Sequence, residues 1–412
     1  MPVGIPLSFL YIHANSESEE RGNGMLLMRN RMFLLVASLC LVPGSLWSAE
    51  GRLIPEKPKQ QCLKVTFNGE TISAYYLLID ARTSAEKEAD KARGALNGSV
   101  LVFFQGHGQR PGDAYKFTSK LAIKSASGIV VVPVIDTPYG KDATWRGDRG
   151  KDVVLMAMVR HILATLGLSV DGYQPLTDLP VAVGGQDVSI PENPIPVKLA
   201  AVGWSHGGIL ARRMAHAYPQ SFLSLGQVCP AGYKHWACPG SLIGRFGWES
   251  LHISSLVFRG HALDAMGCGW GVTRGIAGDL GRSVPQAVMD LQPSKLGRSW
   301  RDVRDCCLYC DDANLPLPSI RNVVVIFGRD DFCMRHEEYG LIGPEVLSDV
   351  ETSVFWRTYY PGAVASGARL SVRILPGMHI GPVTESEAYA RTILNGMDEG
   401  LDAPAPATET KP

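Results

Sequence analysis

The sequence has no excess of charge of either sign. Its 412 residues include 40 Lys and Arg against 40 Asp and Glu, so the formal net charge is zero. A surface that binds nucleic acid needs clustered positive charge, which this balance does not favour. Charged residues make up 19% of the chain and hydrophobic residues 45%, unlike the composition of a disordered protein. The composition therefore predicts a globular protein that does not bind nucleic acid.

The sequence also has no apolar run of the roughly 20 residues that cross a bilayer. The N-terminal candidate, 32–42, has only 11 residues. It follows Arg29 and Arg31 and precedes a helix-breaking Pro43-Gly44 and small residues, as in a secretory signal. We expect 1–49 to be a leader, with 1–24 lying upstream of the true start codon. The protein is then exported, to the periplasm or outside the cell; a retained anchor helix is the alternative.

A zinc-binding pattern of paired cysteine motifs is missing as well. Without Cys40 of the leader, eight of the nine cysteines remain, and an even number in an exported protein favours disulfides. Metal is the alternative for Cys306, Cys307 and Cys310, but no second cysteine pair or Cys/His set at zinc spacing accompanies them. We therefore predict disulfides rather than a metal site, with a connectivity that stays open.

Apolar, β-branched segments alternate with segments of helical spacing through most of the chain. Such an alternation indicates a mostly parallel sheet with helices on both faces. The predicted strands are Lys64–Phe67, Ile72–Ile79, Val100–Phe104, Ile129–Ile135, Val197–Val202, Phe222–Val228, Asn322–Phe327 and Leu370–Leu375. The predicted helices are Val153–Leu166, Ile209–Tyr218 and Glu385–Asn395.

Two segments interrupt this alternation. Residues 171–196 are rich in Pro, Gly and Asp and are typical of a long surface loop, while 231–320 contain five cysteines and break the strand rhythm. We interpret 231–320 as an inserted, mainly helical cap held by disulfides. Residues 50–230 and 321–400 then form one domain, and 401–412 are a disordered tail.

One serine lies where a predicted strand passes directly into a predicted helix. The residues are Gly203-Trp204-Ser205-His206-Gly207, a G-x-S-x-G pattern. Glycines on both sides allow a sharp turn that exposes a serine hydroxyl beyond the sheet edge, beside the helix N-terminus. The pattern predicts a nucleophile; the alternative is a serine that only caps the helix.

This strand–serine–helix pattern resembles the α/β-hydrolase fold family, in which the nucleophile precedes an acid and then a histidine. The resemblance covers about 62–230 and 318–398 and implies a mostly parallel, eight-stranded sheet with an inserted cap. A later predicted strand ends in Gly328-Arg329-Asp330-Asp331, and the spacing from the glycine favours Asp331 over Asp330 as the acid. Surface turn residues are the alternative for both.

Only His336 and His379 follow Asp331. His336 lies on the same descending loop as the acid, whereas His379 follows the next predicted strand. We therefore expect His379 to be the general base.

The resemblance also implies an oxyanion hole and a substrate pocket. Its two backbone N–H donors are expected from His206 and, after the strand Val100–Phe104, from Gln109, which follows His107-Gly108. Trp204 and Met378 are candidates for lining the substrate pocket, although core packing explains them equally well.

These residues together imply a serine hydrolase that cleaves carboxylic esters through an acyl-enzyme intermediate, with no metal or organic cofactor. A thioesterase, an amidase, an acyltransferase or a non-catalytic binding protein on the same fold are the alternatives. The expected partner is a small-molecule ester; a lipid or membrane-surface substrate and the oligomeric state stay open.

Overall fold

The computed structural model describes residues 52, 57–106, 111–136, 150–184, 186–187, 192–233, 245, 317–342 and 347–400. The leader 1–49, the tail 401–412 and nearly all of the predicted cap lie outside these residues. Among the helices of the described ranges, none combines the length and the apolar character that a bilayer crossing requires.

Twelve strands and eight helices are described, together with one 3-10 helix, His336–Tyr339. The strands are β1 (Gln61–Phe67), β2 (Glu70–Asp80), β3 (Val100–Phe104), β4 (Ile129–Asp136), β5 (Leu168–Val170), β6 (Val181–Val183), β7 (Gln186–Asp187), β8 (Ile195–Val197), β9 (Leu199–Trp204), β10 (Phe222–Val228), β11 (Asn322–Gly328) and β12 (Arg369–Leu375). The helices are α1 (Ser84–Arg93), α2 (Tyr115–Lys124), α3 (Gly150–Ala164), α4 (His206–Ala217), α5 (Asp349–Tyr359), α6 (Pro361–Ala365), α7 (Gly381–Thr384) and α8 (Ser386–Met397).

The main sheet has the strand order β12-β11-β10-β9-β3-β4-β2-β1-β6-β7. The six strands from β12 to β4 run parallel, and β2 is antiparallel to both β4 and β1. The eight strands from β12 to β1 therefore follow the order of the α/β-hydrolase fold, with β2 as the reversed strand. This order confirms the predicted fold class.

Local sequence explains how several of these elements begin and end. Asn68 and Gly69 both have positive φ, 48° and 75°, which suits the two-residue turn that joins β1 to β2. Helix α1 begins with a capping box between Thr83 and Glu86 and ends at a left-handed Gly94. The hairpin and the helix boundaries are thus set by their own residues.

Helices cover both faces of the sheet because each buried strand is apolar on both sides. Val100, Val102 and Phe104 of β3 belong to one core, which also holds buried residues of α3, α4 and α5. Leu101 and Phe103 of the same strand belong to a second core, with buried residues of α2 and α8. The central strands of the sheet are therefore packed between two layers of helices.

Two predictions about the sheet are wrong in detail. The sheet has ten strands rather than eight, because β6 and β7 extend it beyond β1. These short strands, with the start of β8, lie inside 171–196, which the composition predicted to be a loop. The edge of β1 offers unpaired backbone groups, and a three-residue strand such as Val181–Val183 is enough to bond them.

The disulfide prediction fails for the three cysteines that the structure describes. Cys62, Cys229 and Cys333 are thiols. Cys62 lies on β1, five strands away from β10 in the sheet, about 24 Å at the usual strand spacing, whereas a disulfide needs Cα atoms within about 7 Å. The five cysteines of 231–320 lie outside the described residues.

Residues near both ends of the described chain are tied into the core. The guanidinium of Arg52 donates to the backbone carbonyls of Ile123, Ser125 and Ala126 and pairs with Glu86. The carboxylate of Glu399 accepts a hydrogen bond from the backbone N–H of Ser99, at 2.8 Å, and its carbonyl accepts one from Ala126. Both ties close the layer that α2 forms.

Candidate active site

Ser205 occupies the turn between β9 and α4 in a strained conformation. Its φ of 55° and ψ of −122° are rare for a residue with a side chain. Hydrogen bonds hold it there: its N–H donates to the carbonyl of Val228, and its carbonyl accepts from the N–H groups of Gly208 and Ala231. The side chain makes no capping bond to the helix. The alternative that Ser205 merely caps α4 is therefore wrong, because a capping residue has extended backbone and bonds the first turn.

The start of α4, directly after Ser205, lies very close to the end of β3. A Cβ built on Gly207 would lie 2.0 Å from the carbonyl oxygen of Phe104 and 2.6 Å from that of Gln105. No side chain fits that space. His206, the first residue of α4, is buried beside it, and its N–H belongs to the first turn, whose N–H groups face the end of the helix.

Asp331 and His379 meet through a direct hydrogen bond. His379 Nδ1 lies 2.9 Å from Asp331 Oδ2. The other carboxylate oxygen, Oδ1, accepts the backbone N–H groups of Cys333 and Met334, at 2.8 and 2.7 Å. Both side chains are almost completely buried. When Nδ1 carries the proton that it donates to Asp331, Nε2 has the lone pair that a general base requires.

The structure separates Asp331 from Asp330. Asp330 is exposed, and its backbone N–H donates to the carbonyl of Gly377. That bond joins the loop after β11 to the loop that carries His379. Gly328 makes the approach feasible, since a Cβ there would lie 2.6 Å from the Gly377 oxygen. Asp330 thus belongs to the loop contact, while Asp331 faces the imidazole.

His336, the other candidate for the base, makes its contact within its own loop rather than with Asp331. Its Nδ1 contacts the carbonyl oxygen of Leu341 at 2.6 Å, within its own loop. This agrees with the expectation that it is too close in sequence to Asp331 to reach the acid from another strand end.

Trp204 joins the serine turn to the histidine loop. It directly precedes Ser205, it is 2% exposed, and its indole N–H donates to the backbone carbonyl of His379 at 3.0 Å. Met378 is also buried, in the same core as Trp204. Both residues are buried in that core, and their predicted contact with a substrate stays a prediction. Gln109 and His107 lie outside the described residues, so the second oxyanion donor also stays a prediction.

Two buried residues of the site were not singled out by the sequence. Gln105 directly follows β3 and is 6% exposed, and among the described residues no group hydrogen bonds to either atom of its amide. Cys229 directly follows β10 and is fully buried, with a φ of 44°. The signal for both was their position at the carboxyl end of a predicted strand, where α/β ligand sites form.

A buried cluster of two tyrosines contacts α4 through Arg212 and, by hydrogen bonds, through Gly208. The guanidinium of Arg212 lies 4.9 Å from the ring centre of Tyr233 and 4.4 Å from that of Tyr360. Burial raises the pKa of Tyr360 to about 12, so its hydroxyl stays protonated and hydrogen bonds with Tyr233. Tyr233 in turn donates to Gln227, whose amide donates to the carbonyl of Gly208 in the first turn of α4.

No family model and no curated protein matches the chain. Solved structures resemble it at low identity. A membrane phospholipase A described as a bacterial virulence factor is 13% identical, with a TM-score of 0.45, over 92% of this chain and 96% of that one. A peroxisomal alpha-beta-hydrolase from Saccharomyces cerevisiae is 12% identical, with a TM-score of 0.44, over 83% and 88%. A thermophilic esterase from Thermogutta terrifontis is 12% identical, with a TM-score of 0.42, over 81% and 97%.

The chain has the α/β-hydrolase fold, as its own strand order and its strand–Ser205–helix turn establish.

Proposed function

We propose that the protein is a serine hydrolase that cleaves carboxylic esters through an acyl-enzyme intermediate. The observation that carries the proposal is the buried His379–Asp331 hydrogen bond, held by Trp204 next to the strained turn of Ser205. A nucleophile on a sharp strand-to-helix turn needs this strained backbone to expose its hydroxyl beside the helix N-terminus. That combination favours acyl transfer over a binding role.

The proposed reaction has two halves. The Ser205 hydroxyl attacks the ester carbonyl while His379 Nε2 takes its proton, and the resulting imidazolium protonates the leaving alcohol. A water then repeats the sequence, releasing the acid and restoring Ser205. Asp331 fixes the histidine tautomer and stabilises the imidazolium. The backbone N–H groups of His206 and Gln109 are the proposed oxyanion donors, and no metal or organic cofactor takes part.

Replacement of the serine tests the proposal. Ser205→Ala should lower the hydrolysis of p-nitrophenyl esters by about 10³-fold or more, because the nucleophile is lost. A fluorophosphonate probe should label the parent protein and not the variant. Equal hydrolysis by the variant would overturn the proposal. Labelling at Ser205 without turnover of oxygen esters would point instead to a thioesterase, amidase or acyltransferase, which a panel of thioesters, amides and acyl acceptors separates.

Substrate size and location belong to the same proposal. The substrate is a small, uncharged ester, and a panel of increasing acyl length, with vesicle-bound lipid as its last member, would distinguish it from a membrane-surface lipid. Export is supported by the leader pattern of 29–49. Sequencing the N-terminus of the mature protein should give a first residue near Glu50, and a protein that retains Met1 would contradict cleavage.

A further inference from the structure

Three different metal-binding side chains come together at the carboxyl ends of β10, β11 and β12. Cys229, Asp331 and His379 each place one ligand atom within 4.8 Å of the others, and all three are buried. The proposed hydrolysis uses Asp331 and His379 but has no role for the cysteine. A sulfur, a carboxylate oxygen and an imidazole nitrogen are the ligands that zinc takes in proteins.

The backbone holds Cys229 firmly in this position. Its N–H donates to the carbonyl of Ile326 in β11 at 2.7 Å, and its φ of 44° departs from the extended strand that precedes it. The residue lies at the carboxyl end of β10, the neighbour of the strand that leads to Asp331. Two adjacent strands, β10 and β11, therefore bring the Cys229 thiol close to the Asp331–His379 pair.

We propose that Cys229, Asp331 and His379 bind Zn²⁺, and that the bound ion switches the hydrolase off. The switching rests on the proposed function; the binding does not.

The distances suit three of the four ligand positions of a tetrahedral ion after small movements. With zinc–nitrogen and zinc–oxygen bonds of about 2.0 Å and a zinc–sulfur bond of about 2.3 Å, ligand atoms lie about 3.3 to 3.6 Å apart. His379 Nδ1 and Asp331 Oδ2 are now 2.9 Å apart, and no pair of the three ligand atoms exceeds 4.8 Å. The histidine and the acid need to separate slightly, and the longest of the three separations needs to shorten by at most about 1.5 Å.

The charges also favour a divalent, thiophilic ion. One thiolate and one carboxylate together neutralise the two charges of Zn²⁺, so no net charge is left in the core. Ca²⁺ and Mg²⁺ prefer oxygen ligands and gain little from a sulfur.

Zinc would block the proposed mechanism by moving one proton. In the resting pair Nδ1 holds the ring proton and Nε2 the lone pair. When Nδ1 binds zinc, the neutral ring carries its proton on Nε2, which then cannot accept the proton of Ser205. The thiol of Cys229 releases its proton to solvent as the zinc–sulfur bond forms. No redox step is involved, and removal of the ion restores the original tautomer.

Zinc binding is tested without turnover. Metal-free Ser205→Ala protein is titrated with zinc chloride by calorimetry, alone and with Cys229→Ser or Cys310→Ser added. We expect Cys229→Ser to remove one equivalent, or to weaken its binding by at least about 100-fold, while Cys310→Ser keeps it. Cys310 is the matched control because it belongs to the other cysteine group considered for zinc. Unchanged binding in Cys229→Ser overturns the proposal.

Inhibition is measured as a ratio within each variant. The rate of p-nitrophenyl ester hydrolysis with a chelator is divided by the rate with zinc. The ratio should be large for the parent and for Cys310→Ser, and close to one for Cys229→Ser. Equal ratios in the parent and Cys229→Ser overturn the switch. If the parent hydrolyses no ester even with the chelator, the proposed hydrolase function is wrong. The calorimetry then still tests whether Cys229 binds zinc.

A spectroscopic measurement protects the test against a variant that fails to fold. Zinc-edge X-ray absorption of the Ser205→Ala, Cys310→Ser protein should show one sulfur at about 2.3 Å with nitrogen or oxygen ligands at about 2.0 Å. A zinc shell without sulfur overturns the proposal.

Discussion

The two oxygens of Asp331 act as acceptors for different donors. Oδ1 accepts two backbone N–H groups of its own loop, and Oδ2 faces His379 Nδ1. An asparagine amide in this place would turn one of the two acceptors into a donor. In one orientation it would oppose the backbone N–H groups, and in the other it would force the imidazole into the wrong tautomer. Neither orientation satisfies the site.

Asp331→Asn should therefore lower kcat/KM by about 10³- to 10⁴-fold while the protein stays folded. The matched control is Asp330→Asn, in the adjacent exposed position, which should stay within about threefold of the parent because its backbone, not its side chain, makes the loop contact. Ester hydrolysis measures the effect, and a thermal melt checks the fold. A larger loss of activity in Asp330→Asn than in Asp331→Asn would show that Asp331 is not the acid.

At this scale, chain order predicted more than local chemistry did. Chain order selected His379, and the spacing from Gly328 favoured Asp331 over Asp330; the structure brings Asp331 and His379 together. Cys229 and Gln105 were not selected, because what matters about them is which neighbours surround them. Those neighbours come from β11 and α4, far away in sequence, and a single sequence does not show them.

Helix α4 and strand β3 pack more closely than side chains normally allow. The separation is set by Gly207, which faces the last carbonyl of β3 and the carbonyl of Gln105. Because these are backbone atoms, they cannot swing aside as the end of a flexible side chain would. The geometry of the serine turn therefore depends on this contact between two elements.

Gly207→Ala should cost about 3 kcal/mol or more in the free energy of unfolding, at the upper end for an overpacked core, and should abolish fluorophosphonate labelling. Gly94→Ala is the control: Gly94 has a φ of 63° but no atom within 4 Å of its added Cβ, so backbone strain alone should cost about 1 kcal/mol. Urea unfolding measures both. Similar losses in the two variants would mean that the α4–β3 contact is not tight.

Strands were predictable where burial leaves a pattern. The apolar runs of β3, β10 and β11 matched the structure to within one residue. Helix α1 was missed because Asp90 is its one buried residue, which leaves no apolar stripe to read. The short strands β6 and β7 were missed because tertiary pairing with the edge of β1, rather than their own residues, makes them strands.

At the scale of the whole molecule, Glu399 closes the described domain with a buried carboxyl. Burial raises the pKa of Glu399 above its ordinary value of 4.5, although hydrogen bonds from Ser99 oppose the shift. A carboxyl with a higher pKa in the folded chain holds its proton more tightly there. Its contribution to stability therefore falls as the pH rises through the interval that begins near 4.5.

Glu399→Gln removes this titration, so the variant should gain stability relative to the parent as the pH rises above 4.5. Glu387→Gln is the opposite control. Burial raises the pKa of Glu387, but hydrogen bonds and charge from Lys124 and Lys120 outweigh it and lower the pKa, so that variant should lose stability relative to the parent as the pH rises toward 4.5. Urea unfolding from pH 3 to 7 measures both slopes. Parallel curves of unfolding free energy against pH for the parent and Glu399→Gln would show that folding does not raise the pKa of Glu399.

The order of the site residues along the chain also has a consequence in time. The ribosome makes Ser205 126 residues before Asp331 and 174 residues before His379, and Glu399 closes the domain later still. A nascent chain therefore carries the serine for a long interval without its acid or its base. Under the proposed mechanism, the growing polypeptide is therefore not an active hydrolase until His379 has been made.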